Sequence, residues 1–282
     1  AKDRLRAALN IVITGATRGL GLATARRLLS NGHSVVICGE DEDDLNSALD
    51  ELQSSGGQAS GTRCDITSES DIVRLLEFAR ADGCPIHAWI NNAGLPGITG
   101  RTDQLPTAYL QQLIDTNIKG TCLASVHALR LFHEQGHGRL VNVIGRGAKA
   151  PVPYSNSYGP AKTWIRSFTR AIAAELEGTG IAACTFQPGL VRTRMTLDVK
   201  VVSGHEDRLK WLPVTQRYLG NTPEFVGDRL ARLVSGPMRN GKAYGVPILR
   251  PALRRLLGDS PTVAITTRTL EPETDTAPVR DS

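Results

Sequence analysis

Aromatic residues are scarce in this chain of 282 residues, at 5% of the total, and methionine occurs only twice. Packing must therefore be mostly aliphatic, and a hydrophobic content of 40% is enough to build a sizeable core. The five cysteines (Cys38, Cys64, Cys84, Cys122 and Cys184) form an odd, dispersed set with no Cys-x-x-Cys spacing. That argues against a disulfide framework and reads as buried free thiols in a reducing compartment. No apolar run approaches the roughly 18 residues that a membrane span requires, and no signal-peptide pattern is visible. Charge of one sign is not concentrated either: 33 basic and 28 acidic residues give a net +5, interspersed along the chain. Without a basic stripe carrying interleaved aromatics, nucleic acid is not an expected partner. The expectation is a cytoplasmic protein with a small-molecule substrate and no membrane partner.

What is present is a regular alternation. Short apolar, β-branched runs lie at 10–14, 34–38, 86–90, 139–144 and 181–187, with a weaker one at 59–63. Helical patterns fill the gaps at 19–31, 43–54, 68–82, 108–133 and 157–177. Continuous apolar runs suit strands covered on both faces by crossover helices, so the pattern predicts an α/β fold with a doubly wound parallel sheet in three layers. Residues 1–258 are read as one domain. After Pro188 the regularity breaks, and residues 194–221 form a long insertion of the kind that often serves as a lid. Within it Trp211, Leu209, Leu212, Val214 and Leu219 suggest an apolar wall of a substrate site, or packing against the core. A helix over 222–235 and a last strand over 242–246 follow. Residues 251–257, with Arg254, Arg255 and neighbouring Arg250 among leucines, read as a short amphipathic surface helix. Residues 259–282 are rich in Thr, Pro and acidic side chains and read as a disordered tail.

Two stretches carry chemistry. Thr14-Gly15-Ala16-Thr17-Arg18-Gly19-Leu20-Gly21 follows the first strand and opens a helix. Glycines there let the backbone approach a pyrophosphate, which the helix N-terminus favours electrostatically. Farther on, Tyr158 and Lys162 sit four apart in a helical pattern and so share a face. A tyrosine beside a lysine suits acid/base work on an alcohol or carbonyl. Bringing a phenol from a pKa near 10 to a useful base near 7 requires roughly 4 kcal/mol, which Lys162 and a further positive charge nearby could supply together. His133 and His137 have metal-like spacing, but the glycines at 136 and 138 mark a helix end, and no metal is expected.

The glycine spacing, Asn91-Asn92-Ala93-Gly94 after the strand at 86–90, and Tyr158-x-x-x-Lys162 together resemble the short-chain dehydrogenase/reductase family. The resemblance covers about residues 9–246, and it implies a Rossmann-type fold and NAD(P)-dependent interconversion of a carbonyl and an alcohol. It further implies roles for matched residues. Gly15, Thr17, Arg18, Gly19, Leu20 and Gly21 would hold the pyrophosphate, and Asp65 and Ile66 the adenine. Asn91, Ala93 and Gly94 would line the adenosine side and brace the central strand. Pro188, Gly189, Val191 and Thr193 would approach the nicotinamide. Tyr158 would be the acid/base, Lys162 would tune it and bind ribose, and Asn117 would hold a helix break and a proton path. Bland alternatives exist for Asp65 as a turn cap, Thr193 as a helix cap and Asn117 as a structural amide. Members of the family commonly pair through two long helices, here 108–133 and 157–177, implying a homodimer or homotetramer.

Two details depart from the pattern. The strand at 34–38 runs into Gly39-Glu40-Asp41-Glu42-Asp43-Asp44. Arg18 resembles a residue that pairs with a 2′-phosphate, whereas Glu40 in an acidic run would repel one and could accept from a 2′-hydroxyl. The expected cofactor is NAD(H) or NADP(H), with a lean to NAD(H). The second departure is that the family's catalytic serine, thirteen residues before the tyrosine, is Gly145 here. Ser155, Asn156, Ser157 or Asn142 could replace it, a bulky or self-orienting substrate could fill the room, or the fold could serve another reaction. Those alternatives are a non-redox or internal-redox reaction, or a cofactor-binding regulator without turnover. "TRGLG" at 17–21 with "WINNAG" at 89–94 is also similar to chlorophyll b reductases, which look serine-poor at this strand.

Overall fold

The structure, a computed structural model, describes residues 8–246 and 262–273. The amphipathic segment expected at 251–257 lies outside the described residues, and so does the junction between domain and tail. The chain runs β1 (Asn10–Thr14), α1 (Gly19–Ser30), β2 (Ser34–Gly39), α2 (Glu42–Ser54), β3 (Ala59–Arg63), α3 (Glu69–Ala79), β4 (Ala88–Asn91) and β5 (Ile98–Thr99). There follow α4 (Thr107–Ile114), a π-helical turn (Asp115–Gly120), α5 (Thr121–Gln135), β6 (Gly138–Val143), α6 (Gly159–Glu175) and β7 (Ile181–Gln187). The last part contains α7 (Arg194–Leu197), β8 (Asp198–Val202), a 3₁₀ turn (Glu206–Leu209), α8 (Leu212–Leu219), α9 (Pro223–Ser235), β9 (Ala243–Gly245) and β10 (Thr266–Leu270).

Seven strands form one parallel sheet in the order β3-β2-β1-β4-β6-β7-β9. Side chains alternate across it. Ile11, Ile13, Val35, Ile37, Ile90 and Phe186 pack with α1, α2 and α9 on one face. Val12, Val36, Trp89, Leu140 and Ala183 pack with α3, α5 and α6 on the other. This is the expected doubly wound, three-layer αβα architecture, and burial on both faces explains why its strands read as unbroken apolar runs. The strand order reverses between β1 and β4, and at that switch point the carboxyl ends of the strands open a crevice for ligands.

A second, three-stranded parallel sheet, β10-β8-β5, was not anticipated. Part of the segment read as a disordered tail therefore has regular structure: Thr266–Leu270 pairs residue by residue with Asp198–Val202 of the insertion. Its threonines suit an extended strand, and pairing with β8 supplies the partner that no local pattern announces.

Candidate active site

β1 delivers Thr14 to the crevice, and Gly15 turns the chain with φ 61°. A β-carbon at Gly15 would sit 2.6 Å from Ala93 Cα, so this contact between the two loops requires glycine. The N-cap residue of α1 is Arg18, which makes no side-chain cap, and the first turn holds no acid. In contrast, α2 and α3 are capped by Asp41 and Ser68 and have acidic first turns. The leading N–H groups of α1 are thus left for an anion, and a dinucleotide's pyrophosphate fits the cradle.

Two residues overlooked in the sequence hold that cradle. Asn92 donates from Nδ2 to the carbonyls of Thr14 (3.1 Å) and Gly15 (2.8 Å). Thr14 Oγ1 accepts from the N–H groups of Asn92 and Ala93, both at 3.2 Å. Asn91, the expected ligand of the pair, instead points into the core. It accepts from Trp89 Nε1 at 2.9 Å and donates to Ser125 Oγ at 2.9 Å and Asn142 Oδ1 at 2.8 Å. Its side chain braces the strand and is spent there. Strand alternation was the available signal, since neighbouring residues face opposite ways.

Where adenosine is expected, Asp65 accepts from the Thr67 N–H at 2.8 Å through one oxygen, and no bond engages the other among the described residues. Ile66 is buried against Gly120 of the π turn. At the end of β2, a β-carbon on Gly39 would lie 2.5 Å from Thr17 Cγ2, so Thr17 occupies the room that a side chain there needs. Arg18 is ion-paired with Asp44. Glu40 is exposed, and its carbonyl accepts from Arg63 Nε at 2.9 Å. Opposite the glycine loop, Gly189 (φ 71°) follows Pro188, and Val191 bridges to Asn221. At the start of α7, Thr196 Oγ1 accepts at 3.3 Å from the N–H of Thr193. The Thr193 methyl faces Gly19, where a β-carbon would meet it at 3.2 Å.

The residues expected to handle the proton meet around Gly94 and Gly145. Asn117, fully buried in the π turn, accepts from Leu95 N–H at 2.8 Å and donates to Leu95 O at 3.1 Å. A β-carbon on Gly94 would lie 2.8 Å from Asn117 Oδ1 and 3.7 Å from Lys162 Nζ, which places these two side chains together. Lys162 Nζ donates to Val143 O at 3.3 Å and lies 5.3 Å from the Tyr158 ring centroid. Burial pulls the Lys162 pKa down to about 8. Burial also pushes the Tyr158 phenol above its usual range. The expected tyrosine near pKa 7 is therefore not a property of the protein alone: unliganded, Tyr158 is held protonated.

The missing serine has a steric counterpart. A β-carbon at Gly145 would stand 3.0 Å from Tyr158 Cε1, 3.1 Å from Cζ and closer still to the hydroxyl oxygen. The tyrosine occupies the space that a serine side chain would enter. The β6–α6 loop is drawn into this position by Gly147 (φ 91°), which packs directly on Gly159, and by Thr163 Oγ1 donating to Gly147 O at 2.7 Å. Most proposed substitutes are committed elsewhere. Ser157 Oγ accepts from Ile98 N–H at 2.9 Å and donates to Ile98 O at 3.1 Å. Asn142 donates to Thr169 Oγ1 at 2.9 Å while accepting from Asn91, and Asn156 donates to Thr102 Oγ1 at 2.7 Å. Ser155, half-buried, keeps its hydroxyl uncommitted. Trp211 is 67% exposed and Val214 47%, so neither packs against the core. His133 lies at the end of α5, which closes on Gly136 in the left-handed region.

Among the described residues, no helix is long and apolar enough to cross a membrane. Residues 9–201 match the model of the short chain dehydrogenase family. Ketoacyl reductase HetN of Nostoc sp. (strain PCC 7120 / SAG 25.82 / UTEX 2576) is 32% identical over 196 residues, 68% of this chain and 67% of its own. Chlorophyll(ide) b reductase NOL of Oryza sativa subsp. japonica is 30% identical over 196 residues, 67% of this chain and 57% of its own. A crystal structure of a variant actinorhodin polyketide ketoreductase with NADPH superposes with a TM-score of 0.75 at 30% identity, over 86% of this chain and 97% of that one.

Proposed function

The chain belongs to the short-chain dehydrogenase family, and from that membership we propose that it is an NAD(P)-linked reductase of a ketone on a bulky or acyl substrate, with Tyr158 as proton donor. A bound reduced nicotinamide would supply the hydride. The uncapped start of α1 would receive the pyrophosphate, the free oxygen of Asp65 would accept from the adenine amino group, and Lys162 would donate to a ribose hydroxyl. Tyr158 then gives its proton to the substrate oxygen as negative charge develops there. A protonated phenol suits that direction; in the reverse direction Lys162 and a positive ring together would favour the phenolate.

The observation that carries this reading is the Tyr158 hydroxyl filling the side-chain space of Gly145 beside a buried lysine. One oxyanion donor fewer lowers rate by about 10²–10³. In this reading Ser155 or the substrate's own groups supply the second contact. Arg18 and Glu40 would lie near the 2′ position of a bound ribose, and Asp44 offsets the Arg18 charge, which supports acceptance of NADH as well as NADPH. Pairing of two copies through α5 and α6 is part of the same proposal.

The test is oxidation of NADH and NADPH in the presence of 3-oxoacyl thioesters, small ketones and bulky cyclic ketones. Turnover of an acyl or bulky ketone is expected. Tight dinucleotide binding with no turnover across the panel would overturn the proposal. It would favour a non-redox reaction or a regulator, a reading that the commitment of Ser157 and Asn142 to structural bonds also supports.

A further inference from the structure

We infer that the second sheet is a bracket that positions Tyr158, and that the segment ending at Glu273 is its outer clamp; the inference rests on the proposed role of Tyr158. The chain of contacts is short. Ser157, immediately before the tyrosine, spends its hydroxyl on both backbone groups of Ile98 in β5. Gly97, just before β5, touches the tyrosine itself: a β-carbon there would lie 2.7 Å from Tyr158 Cβ. β5 is held in turn by β8, with Ile98 opposite Lys200 and Thr99 opposite Val201. Val202 packs under Gly100, whose N–H donates to Tyr154 O at 3.1 Å.

The clamp closes on β8 from outside. All five residues of β10 pair with it, and Arg268 forms a two-point ion pair with Asp198, at 2.9 Å from Nε and 2.7 Å from Nη2. Leu270 packs on the small cluster of Ile98, Leu105 and Val202. The Ser203 N–H donates to Leu270 O at 2.8 Å. Glu273 ends the clamp at the start of α4, accepting from the Thr107 N–H and from Thr107 Oγ1. Four of the five β10 side chains are exposed, so this strand adds little core. Its contribution is to fix β8, and through β8 and β5 the loop that enters Tyr158. Tyr154, four residues upstream, has φ 63°, an unusual conformation for a residue with a side chain, and the Arg208 guanidinium of the insertion lies 3.9 Å over its ring.

The experiment compares the full chain with a variant ending after residue 261. Four quantities are measured: kcat, dinucleotide Kd, the solvent deuterium isotope effect on kcat, and hydrogen exchange at the amides of Ile98 and Tyr158. The expected result is a kcat lower by about tenfold or more, as misplacement of a reacting group demands. Kd should stay within about twofold, the isotope effect should rise as proton donation becomes limiting, and both amides should exchange faster. An unchanged kcat and unchanged exchange would overturn the inference. A lower kcat with an unchanged isotope effect would also overturn it, because that signals only a smaller folded fraction. Should the shortened chain fail to bind dinucleotide, Arg268→Asp is read in the same way, and adding Asp198→Arg must restore it. If the full chain turns nothing over, the proposed function fails, and exchange at the two amides still decides whether the bracket exists.

Discussion

Replacing Gly145 with serine restores the hydroxyl that the family pattern places there, yet it should slow the protein. A β-carbon at 145 would meet Tyr158 Cε1 at 3.0 Å and Cζ at 3.1 Å, with the hydroxyl oxygen nearer. To reach ordinary contact, the hydroxyl must retreat by about 1 Å, and a misplacement of that size costs on the order of 10²-fold in rate. Overpacking of this kind also costs about 1–3 kcal/mol of stability. If Gly145 were merely a vacancy, the same substitution would add an oxyanion donor and raise kcat by about 10²–10³. The two accounts predict opposite signs. Gly145→Ala separates them further, since it adds the clash without the hydroxyl and should lower kcat just as far. The assay is kcat at saturating cofactor, with dinucleotide Kd as the control for an intact cradle. A serine variant faster than the natural protein, or an alanine variant unchanged, refutes the steric reasoning.

Other consequences can be tested in parallel. Lys162 is buried and its pKa falls from 10.5 to about 8. The unfolded chain therefore binds the proton more tightly, and holding the charge inside costs about 3 kcal/mol at neutral pH. Lys162→Met should raise the thermal midpoint of the unliganded protein below pH 8, with the gain fading toward pH 10.5, while turnover collapses; a lower midpoint contradicts the burial argument. His87 accepts from the Asn10 N–H at 3.0 Å, and burial together with His137 and Arg139 lowers its pKa from 6.5. A depressed value gives stability that is present above pH 6.5 and lost as pH falls through the folded value. His87→Gln should flatten that acid-side loss in melts run from neutral to mildly acidic pH. Asp44→Asn frees Arg18 from its ion pair and should shift the ratio of Kd values toward NADPH by about fivefold, the equivalent of one screened charge contact. An unchanged ratio would place the 2′ group elsewhere.

The main sheet was legible because its strands are buried on both faces: Asn10–Thr14 and Ile181–Gln187 announce themselves as apolar runs between amphipathic helices. The small sheet was not. β5 has two residues, and β10 is a Thr-rich strand whose pairing with Asp198–Val202 comes from a distant part of the chain. No local pattern encodes such a long-range partner. At the site, Tyr158 and Lys162 were legible from helical spacing, and Gly15, Gly19 and Gly21 from their place after β1. The choice between Asn91 and Asn92 was not, because it depends on which face of β4 meets Ser125 and which meets the Gly15 carbonyl. Gly145 shows the same limit. A glycine in a sequence records only that a side chain is missing, whereas the structure shows that Tyr158 fills the space. Likewise, Ser157 stands beside the tyrosine in sequence but faces Ile98.

The most direct test of the account compares the protein with Tyr158→Phe in a single turnover of bound NADPH against a substrate that the natural chain reduces. Removing the phenol deletes the proton donor and leaves the cradle of Gly15, Asn92 and α1 untouched. The account predicts unchanged dinucleotide affinity and a rate lower by about 10²–10⁴, the contribution of a positioned general acid. Cofactor oxidation at the natural rate in the phenylalanine variant would contradict it and move the chemistry away from Tyr158.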